Sequence, residues 1–330
     1  MRARNPPGVP GGGEAAEHVH GRVRQFGMRT VRTVSSVGAD DVGTPSLPGV
    51  SHRFVDVAVA GGTLTLHVAE AGVGEPVLML HGWPGHWYSW RHLVPHLSQS
   101  YRLLMPDLRG FGWSDAPGSG YDPRTFAADT LALLDALKLD RVRLVGHDWG
   151  GFTAFLLGLQ HPERFSRIVV FNAPHPWAPF SRDVIASLWR TWYVLALASP
   201  LGPTLVTRPS FLPWFIGLGG RRHLFSANDA EIFTARLRHP ARARASCLLY
   251  RSYLRTARDI FIHRRYDHDY LTVPTRLVFG TEDFYVPSAY VAGSEQHARD
   301  LDIEFVPGCG HFLPEERSDI AAARLEMFLP

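Results

Sequence analysis

The pentapeptide Gly146-His147-Asp148-Trp149-Gly150 has the spacing of a G-x-S-x-G nucleophile elbow, with aspartate where the serine would stand. An apolar run precedes it and a helical pattern follows, and Gly146, Gly150 and Gly151 relieve crowding at a tight strand-to-helix turn. Such a turn exposes the central side chain at a helix N-terminus, whose free N–H groups favour an anion. Asp148 is therefore a candidate nucleophile, while a simple N-cap aspartate is the structural alternative. Two further signals follow in order. FGTEDFYVP (279–287) ends a strand in an acidic loop, where Asp283 is the best-placed carboxylate, and PGCGHFLPEE (307–316) ends the next strand in a glycine-relieved turn at His311. With seventeen histidines in the chain, any one of them is structural by default; His311 is singled out by its position behind Asp148 and Asp283. The set supplies a nucleophile, a base, and a carboxylate that fixes the base's tautomer and stabilises its cation. HGWPG (81–85) adds a tight loop after a strand, which can present the backbone N–H of Trp83. The N–H of Trp149, directly after the nucleophile, would complete an oxyanion hole. His81 itself reads as structural.

An aspartate nucleophile narrows the chemistry. A carboxylate is a weak base, yet it displaces a good leaving group from saturated carbon and leaves an alkyl ester on the protein. Water activated by His311 would then attack the carbonyl of that ester, so that one hard hydrolysis becomes two easier steps. This points to epoxides or alkyl halides and away from esterase or lipase activity.

These residues need a scaffold, and the chain supplies one from residue 52 onward. FVDVAV and TLTLHVA alternate apolar and polar around Gly61-Gly62, as in a hairpin. PVLMLHG (76–82) and YRLLMPD (101–107) are continuous apolar runs suited to strands buried on both faces. Between them WYSWRHLVPHL reads as a helix in which Pro95 is irregular. An amphipathic helix over 125–139, strand RVRLVGHD, helix GGFTAFLLGLQ and strand SRIVVFNAP follow. The alternation stops near Pro174, gives way to about 90 residues of helices, prolines and aromatics, and resumes with TRLVFG (275–280), a helix, DIEFVPG (302–308) and a final helix. The expected class is α/β, with a mostly parallel, doubly wound sheet and a helical cap inserted between late sheet strands. The expected divisions are a disordered tail over 1–50, a core of 51–174 and 268–330, and a cap of 175–267. Met28 is a possible start.

Composition excludes several classes. The net charge is only +3, Lys138 is the only lysine, and no basic run is interleaved with aromatics, so no nucleic-acid surface is expected. Cys247 and Cys309 lie far apart without metal-ligand spacing, which fits a reduced, cytoplasmic protein, and Cys309 reads as a packing residue. No stretch reaches the roughly 18 apolar residues of a membrane helix, and the N-terminus lacks the apolar centre of a signal peptide.

From about residue 52 to its end the chain resembles the epoxide hydrolase family of the α/β-hydrolase superfamily. The resemblance rests on HGWPG, DLRGFGWSDAP (107–117), GHDWGG, NAPHP (172–176), the G-x-x-D ending at Asp283, and GCGHFLPEE. It implies the α/β-hydrolase fold, with Asp148 as nucleophile, His311 as base and Asp283 as its orienter. It also implies two cap tyrosines that hydrogen-bond the epoxide oxygen. TWYVLALASPLGP (191–203) puts Tyr193 in the first place, and PARARASCLLYRSYLR (240–255) puts Tyr250 in the second, with Tyr253 as the alternative register. Trp83, Trp149, Trp189, Trp192, Phe211 and Trp214, with Phe215, suggest an apolar substrate pocket. The implied substrate is a small lipophilic epoxide, no metal or organic cofactor is implied, and the protein would be a monomer or homodimer. Haloalkane dehalogenases share the aspartate elbow and form the first alternative. Trp83 and Trp149 stand where such enzymes commonly carry Asn or Arg, which argues against it. Val194, where some relatives are polar, departs from the preferred pattern. A catalytically silent ligand-binding protein on the same fold is the second alternative.

Overall fold

The computed structural model describes residues 31–33 and 43–330, apart from 220–224 and 295. Residues 1–30 and 34–42, which include most of the expected tail and Met28, lie outside the described residues.

One sheet organises the chain. Its strands are β1 (Val31–Thr33), β2 (Val50–Val59), β3 (Gly62–Ala71), β4 (Glu75–Leu80), β5 (Tyr101–Pro106), β6 (Val142–His147), β7 (Phe165–Phe171), β8 (Thr275–Gly280) and β9 (Leu301–Val306). Among the described residues they lie in the order β1-β2-β3-β5-β4-β6-β7-β8-β9. The pairs from β1 through β3 to β5 are antiparallel, and all pairs from β5 to β9 are parallel. The β2–β3 hairpin turns at Gly61-Gly62 with Val59 opposite Gly62, as the sequence leads one to expect. Val31 pairs with Val55, so a short strand lies inside the segment expected to be a tail.

The apolar runs explain the parallel half. Leu78, Leu80, Leu144, Ile168 and Val170 pack on one face of the sheet, and their neighbours Val77, Met79, Val145, Val169 and Phe171 pack on the other. Because side chains alternate along a strand, a run without polar breaks fills two layers at once. Burying each such side chain contributes about 1.5–3 kcal/mol. Helix Pro123–Ala136 starts at Asp122, whose carboxylate accepts the N–H groups of Arg124 and Thr125, and it ends near Lys138, which has a positive φ of 57°.

Two expected helices differ. WYSWRHLVPHL forms a 3-10 turn over Trp87–Trp90 and a separate short helix over Val94–Leu97. Pro95 has no N–H to continue a helix begun at Trp87, and it sits instead in the first turn of the second one. Between β8 and β9 the only helical element among the described residues is the 3-10 turn Ser288–Val291, in a segment punctuated by Pro287 and Gly293.

Between β7 and β8 the described residues contain helices and turns but no strand of the sheet. The longest helix, Pro240–Phe261, packs against Trp192–Ala198 and Gly202–Val206. These segments lie over the carboxyl ends of the strands, where open α/β sheets bind ligands. Among the described residues no helix is long and apolar enough to cross a membrane.

Candidate active site

Asp148 lies between β6 and helix Trp149–Gln160 with φ 51° and ψ −119°, a conformation that costs a side-chain-bearing residue about 1–3 kcal/mol. It stands at the N-cap position of that helix, yet its side chain makes no capping hydrogen bond there. The strained turn is possible because its neighbours carry no side chain. A Cβ on Gly150 would lie 2.1 Å from the Leu80 carbonyl oxygen, and one on Gly82 would lie 2.4 Å from the Asp148 Cβ. The chain can therefore press the loop after β4 directly against the elbow.

That approach brings the backbone N–H of Trp83 to Asp148 Oδ2 at 2.9 Å. The N–H of Trp149 also reaches the Asp148 carboxylate. Both amides expected to form an oxyanion hole thus converge on the Asp148 carboxyl group. Asp148 Oδ1 faces His311 Nε2 at 3.8 Å. Behind it, His311 Nδ1–H donates to Asp283 Oδ2 at 2.8 Å, a bond that fixes Nδ1 as the protonated nitrogen and leaves Nε2 toward Asp148. Asp283 is buried and accepts three more bonds: from Asn172 Nδ2 at 2.8 Å, from the Tyr285 N–H at 2.8 Å, and from the Val286 N–H at 2.9 Å. The structure therefore brings Asp148, Asp283 and His311 together from the ends of β6, β8 and β9, with Trp83 from the end of β4.

The charges respond to this burial. Desolvation raises the Asp148 carboxyl to about 6, against the pull of His311 and the two amides. Burial also disfavours the His311 cation, but the adjacent Asp283 and Asp148 charges outweigh it and hold His311 above the ordinary histidine value. His147, packed against His311 with ring centroids 5.0 Å apart, is pushed down to about 3 by burial and by the His311 charge, and its Nε2–H donates to the His311 carbonyl at 2.9 Å.

A cavity opens above Asp148. It is lined by Trp83, Trp149, Tyr193, Phe215 and Tyr250, with His311 and Asp148 at its floor. Tyr193 and Tyr250 stand edge to face with ring centroids 5.8 Å apart. Burial, reinforced by neighbouring phenols and the Asp148 charge, raises both hydroxyls well above their ordinary value, so both remain proton donors. Tyr253, the alternative to Tyr250, lines the same cavity farther along helix Pro240–Phe261, against Trp149.

Four expected pocket residues are not there. Trp189, Trp192 and Trp214 are 64 %, 43 % and 49 % exposed, and neither they nor Phe211 line the cavity. For Trp192 and Trp214 helical phase is the reason: successive residues turn by about 100°, so beside an inward Tyr193 or Phe215 they point outward, whereas Phe211, one turn before Phe215, packs against that ring at 6.0 Å. Asn172 and Tyr285 are the residues that sequence reasoning missed. Asn172 directly follows β7, between the strands that deliver Asp148 and Asp283, and that position in NAPHP was the available signal. Among the described residues no group of His, Cys, Asp or Glu is arranged to hold a metal ion.

Comparison with known proteins places this geometry in a family. Residues 75–318 match the alpha/beta hydrolase fold family. The chain is 31% identical over 264 residues to "Epoxide hydrolase 3" of Xenopus tropicalis, covering 76% of this chain and 70% of that protein. It is 29% identical over 279 residues to "Soluble epoxide hydrolase" of Corynebacterium sp. (strain C12), covering 80% and 94%. The solved structure titled "Epoxide hydrolase CorEH without ligand" superposes with a TM-score of 0.73 at 26% identity, covering 85% of this chain and 98% of that one. The chain belongs to the α/β-hydrolase-fold family as a member of epoxide-hydrolase type.

Proposed function

We propose that the protein hydrolyses a lipophilic epoxide to a vicinal diol through an alkyl ester on Asp148. The observation that carries this reading is the Asp148 carboxyl group held between the Trp83 amide and His311, beneath two buried tyrosines. Asp148 Oδ2 is occupied by the Trp83 N–H, so Oδ1 is the attacking atom. It forms a bond to one epoxide carbon while that carbon's bond to the ring oxygen breaks. The departing oxygen takes a proton from Tyr193 or Tyr250, whose hydroxyls are protonated at any working pH. His311 Nε2 then removes a proton from water, whose oxygen adds to Cγ of the ester, and Asp283 stabilises the imidazolium. The Trp83 and Trp149 amides hold the oxyanion until the bond from Cγ to the alkyl oxygen breaks; that oxygen takes the proton of the hydroxyl just added at Cγ, the imidazolium returns its proton to the tyrosinate, and the diol leaves with Asp148 a carboxylate again. In this division the core of 51–174 and 268–330 supplies the nucleophile and the hydrolytic base, and the cap of 175–267 supplies the acid for ring opening and selects the substrate.

Halide displacement by the same aspartate is less well supported. A halide needs free N–H donors beside Asp148, but the Trp83 indole donates to Ser246 Oγ at 2.9 Å and the Trp149 indole is hydrogen-bonded to the Tyr250 hydroxyl. The reduced thiols of Cys247 and Cys309 fit work in the cytoplasm.

Two experiments test the scheme. His311→Gln is expected to form the Asp148 ester and hold it, visible as a stable mass adduct with an aryl or alkyl epoxide; an unmodified protein after prolonged exposure contradicts the two-step scheme. Diol release from epoxides, without halide release from matching bromoalkanes, is the expected outcome of a side-by-side assay. Halide without diol would overturn the reading of the cap.

A further inference from the structure

The cap also turns an apolar face away from the cavity. Leu188, Trp189, Trp192 and Leu195 follow one helical stripe along the segment 182–198, and Leu195 is 63 % exposed while Tyr193, Val194 and Leu197 on the other side are buried. Trp214, from helix Phe211–Gly219, extends the same surface: its ring lies 6.0 Å from that of Trp192. An exposed patch of this kind on a globular protein marks an interaction site.

Its charge is equally distinctive. No aspartate or glutamate occurs between Asp183 and Asp229. Over 175–267 there are fourteen arginines against five carboxylates, whereas the rest of the chain has an acidic excess. Arg182 and Arg208 are exposed, and Arg190 stacks on Trp189 with its guanidinium carbon 5.7 Å from the ring.

From this juxtaposition we infer that the outer face of the cap docks on an anionic lipid bilayer, with Trp189, Trp192 and Trp214 at headgroup depth and the arginines on lipid phosphates. Tryptophan and arginine are the side chains that settle at a bilayer interface, where an apolar body and a polar or charged tip are both satisfied. Acidic lipids supply the negative charge that this segment lacks. A second copy of the chain fits less well, because a two-fold contact through this face would set two arginine-rich surfaces against each other. The docking rests on the surface alone. The proposed epoxide chemistry adds only a consequence: lipophilic substrates concentrated in the bilayer would lie directly against the cap that covers Asp148.

The test uses the full-length protein without substrate. It is sedimented with sucrose-loaded vesicles of phosphatidylcholine alone or of phosphatidylcholine mixed with phosphatidylglycerol. Wild type is expected to pellet with the mixed vesicles at least about tenfold better than with phosphatidylcholine alone, since several basic side chains contribute. The variant Trp189→Ser/Leu195→Ser/Trp214→Ser, and separately Arg182→Gln/Arg208→Gln, should each lose most of that binding while keeping the wild-type circular dichroism and turnover of a small water-soluble epoxide. Folded wild type that stays in the supernatant with mixed vesicles overturns the inference. So does equal binding by the tryptophan-depleted variant, or light scattering that shows a wild-type dimer converted by that variant to a monomer. Failure of the epoxide reading would appear as absent turnover with vesicle binding intact, which keeps the two ideas separate.

Discussion

The floor of the cavity is held mainly by hydrogen bonds and the roof mainly by aromatic contacts. Asp283 is fixed on the floor by four hydrogen bonds, two from side chains and two from its own loop. In the roof, Tyr193 rests against Phe215 and Tyr285 at ring separations of 5.2 Å, and Tyr250 against Trp83 at 5.1 Å. Hydrogen bonds weaken steeply with misalignment, whereas aromatic edges accept a range of offsets. The floor is therefore intolerant of change, and the roof can be re-cut for other substrates while the chemistry beneath it persists.

The severest test of that contrast is Asp148→Ala, expected to lower turnover by at least about 10⁴-fold with the fold intact, because members of such a unit fail together. Steady-state diol release measures it, and a loss under tenfold would remove Asp148 from the reaction. Tyr193→Phe/Tyr250→Phe should cost about 10²–10⁴-fold in ring opening, the usual worth of a positioned acid. If the folded double variant turns over normally, the roof does no chemistry. Asn172→Ala is expected to cost about 10- to 100-fold through a displaced Asp283. With one donor fewer, more of the Asp283 charge serves His311, so the acid limb of ester hydrolysis should move to higher pH; an unchanged limb would make Asn172 merely structural. The smallest effect belongs to Trp214→Ser, expected to change turnover of a soluble epoxide by no more than about twofold, as for an ordinary surface substitution.

The two steps should also separate with pH. Attack requires ionised Asp148, so single-turnover ester formation should rise with pH through about 6. Ester hydrolysis requires neutral His311; the ester has lost the Asp148 charge, but the hydrogen-bonded Asp283 still favours the imidazolium, so its limb should lie above that of attack. Rapid-quench measurement of the ester at pH values between the two limbs should find it accumulating. Equal limbs would mean that one group controls both steps.

The same contrast explains what the letters disclosed. Floor residues follow apolar strands and sit among glycines that no other residue can replace, so GHDWGG and GCGHF are legible as turns before any coordinates are known. Gly150 shows why: with 2.1 Å to the Leu80 carbonyl, any side chain there would push the loop bearing Trp83 away. The roof lacks such punctuation. In Trp192-Tyr193 and Trp214-Phe215, two aromatics stand side by side and only one faces the cavity, and a helix apolar on both sides gives no phase from which to choose. Asn172 escaped notice for another reason, since an asparagine after a strand also suits an ordinary turn, and only the arrival of Asp283 from 111 residues away gives it a task. The helix anticipated after β8 failed on local chemistry, with Pro287 and Gly293 breaking the segment.

Helix Phe211–Gly219 ends on the catalytic loop. The backbone N–H of His311 donates to the Gly219 carbonyl at 2.7 Å, and the Tyr285 hydroxyl donates to the Phe215 carbonyl. A Cβ on Gly219 would strike the Tyr285 ring at 1.9 Å, so the last turn of this helix has no slack. Lifting it would strip the histidine's own backbone of its acceptor. Entry and exit that hinge on this helix would thus unfasten the base each time the door opens, and water could be activated only behind a shut one.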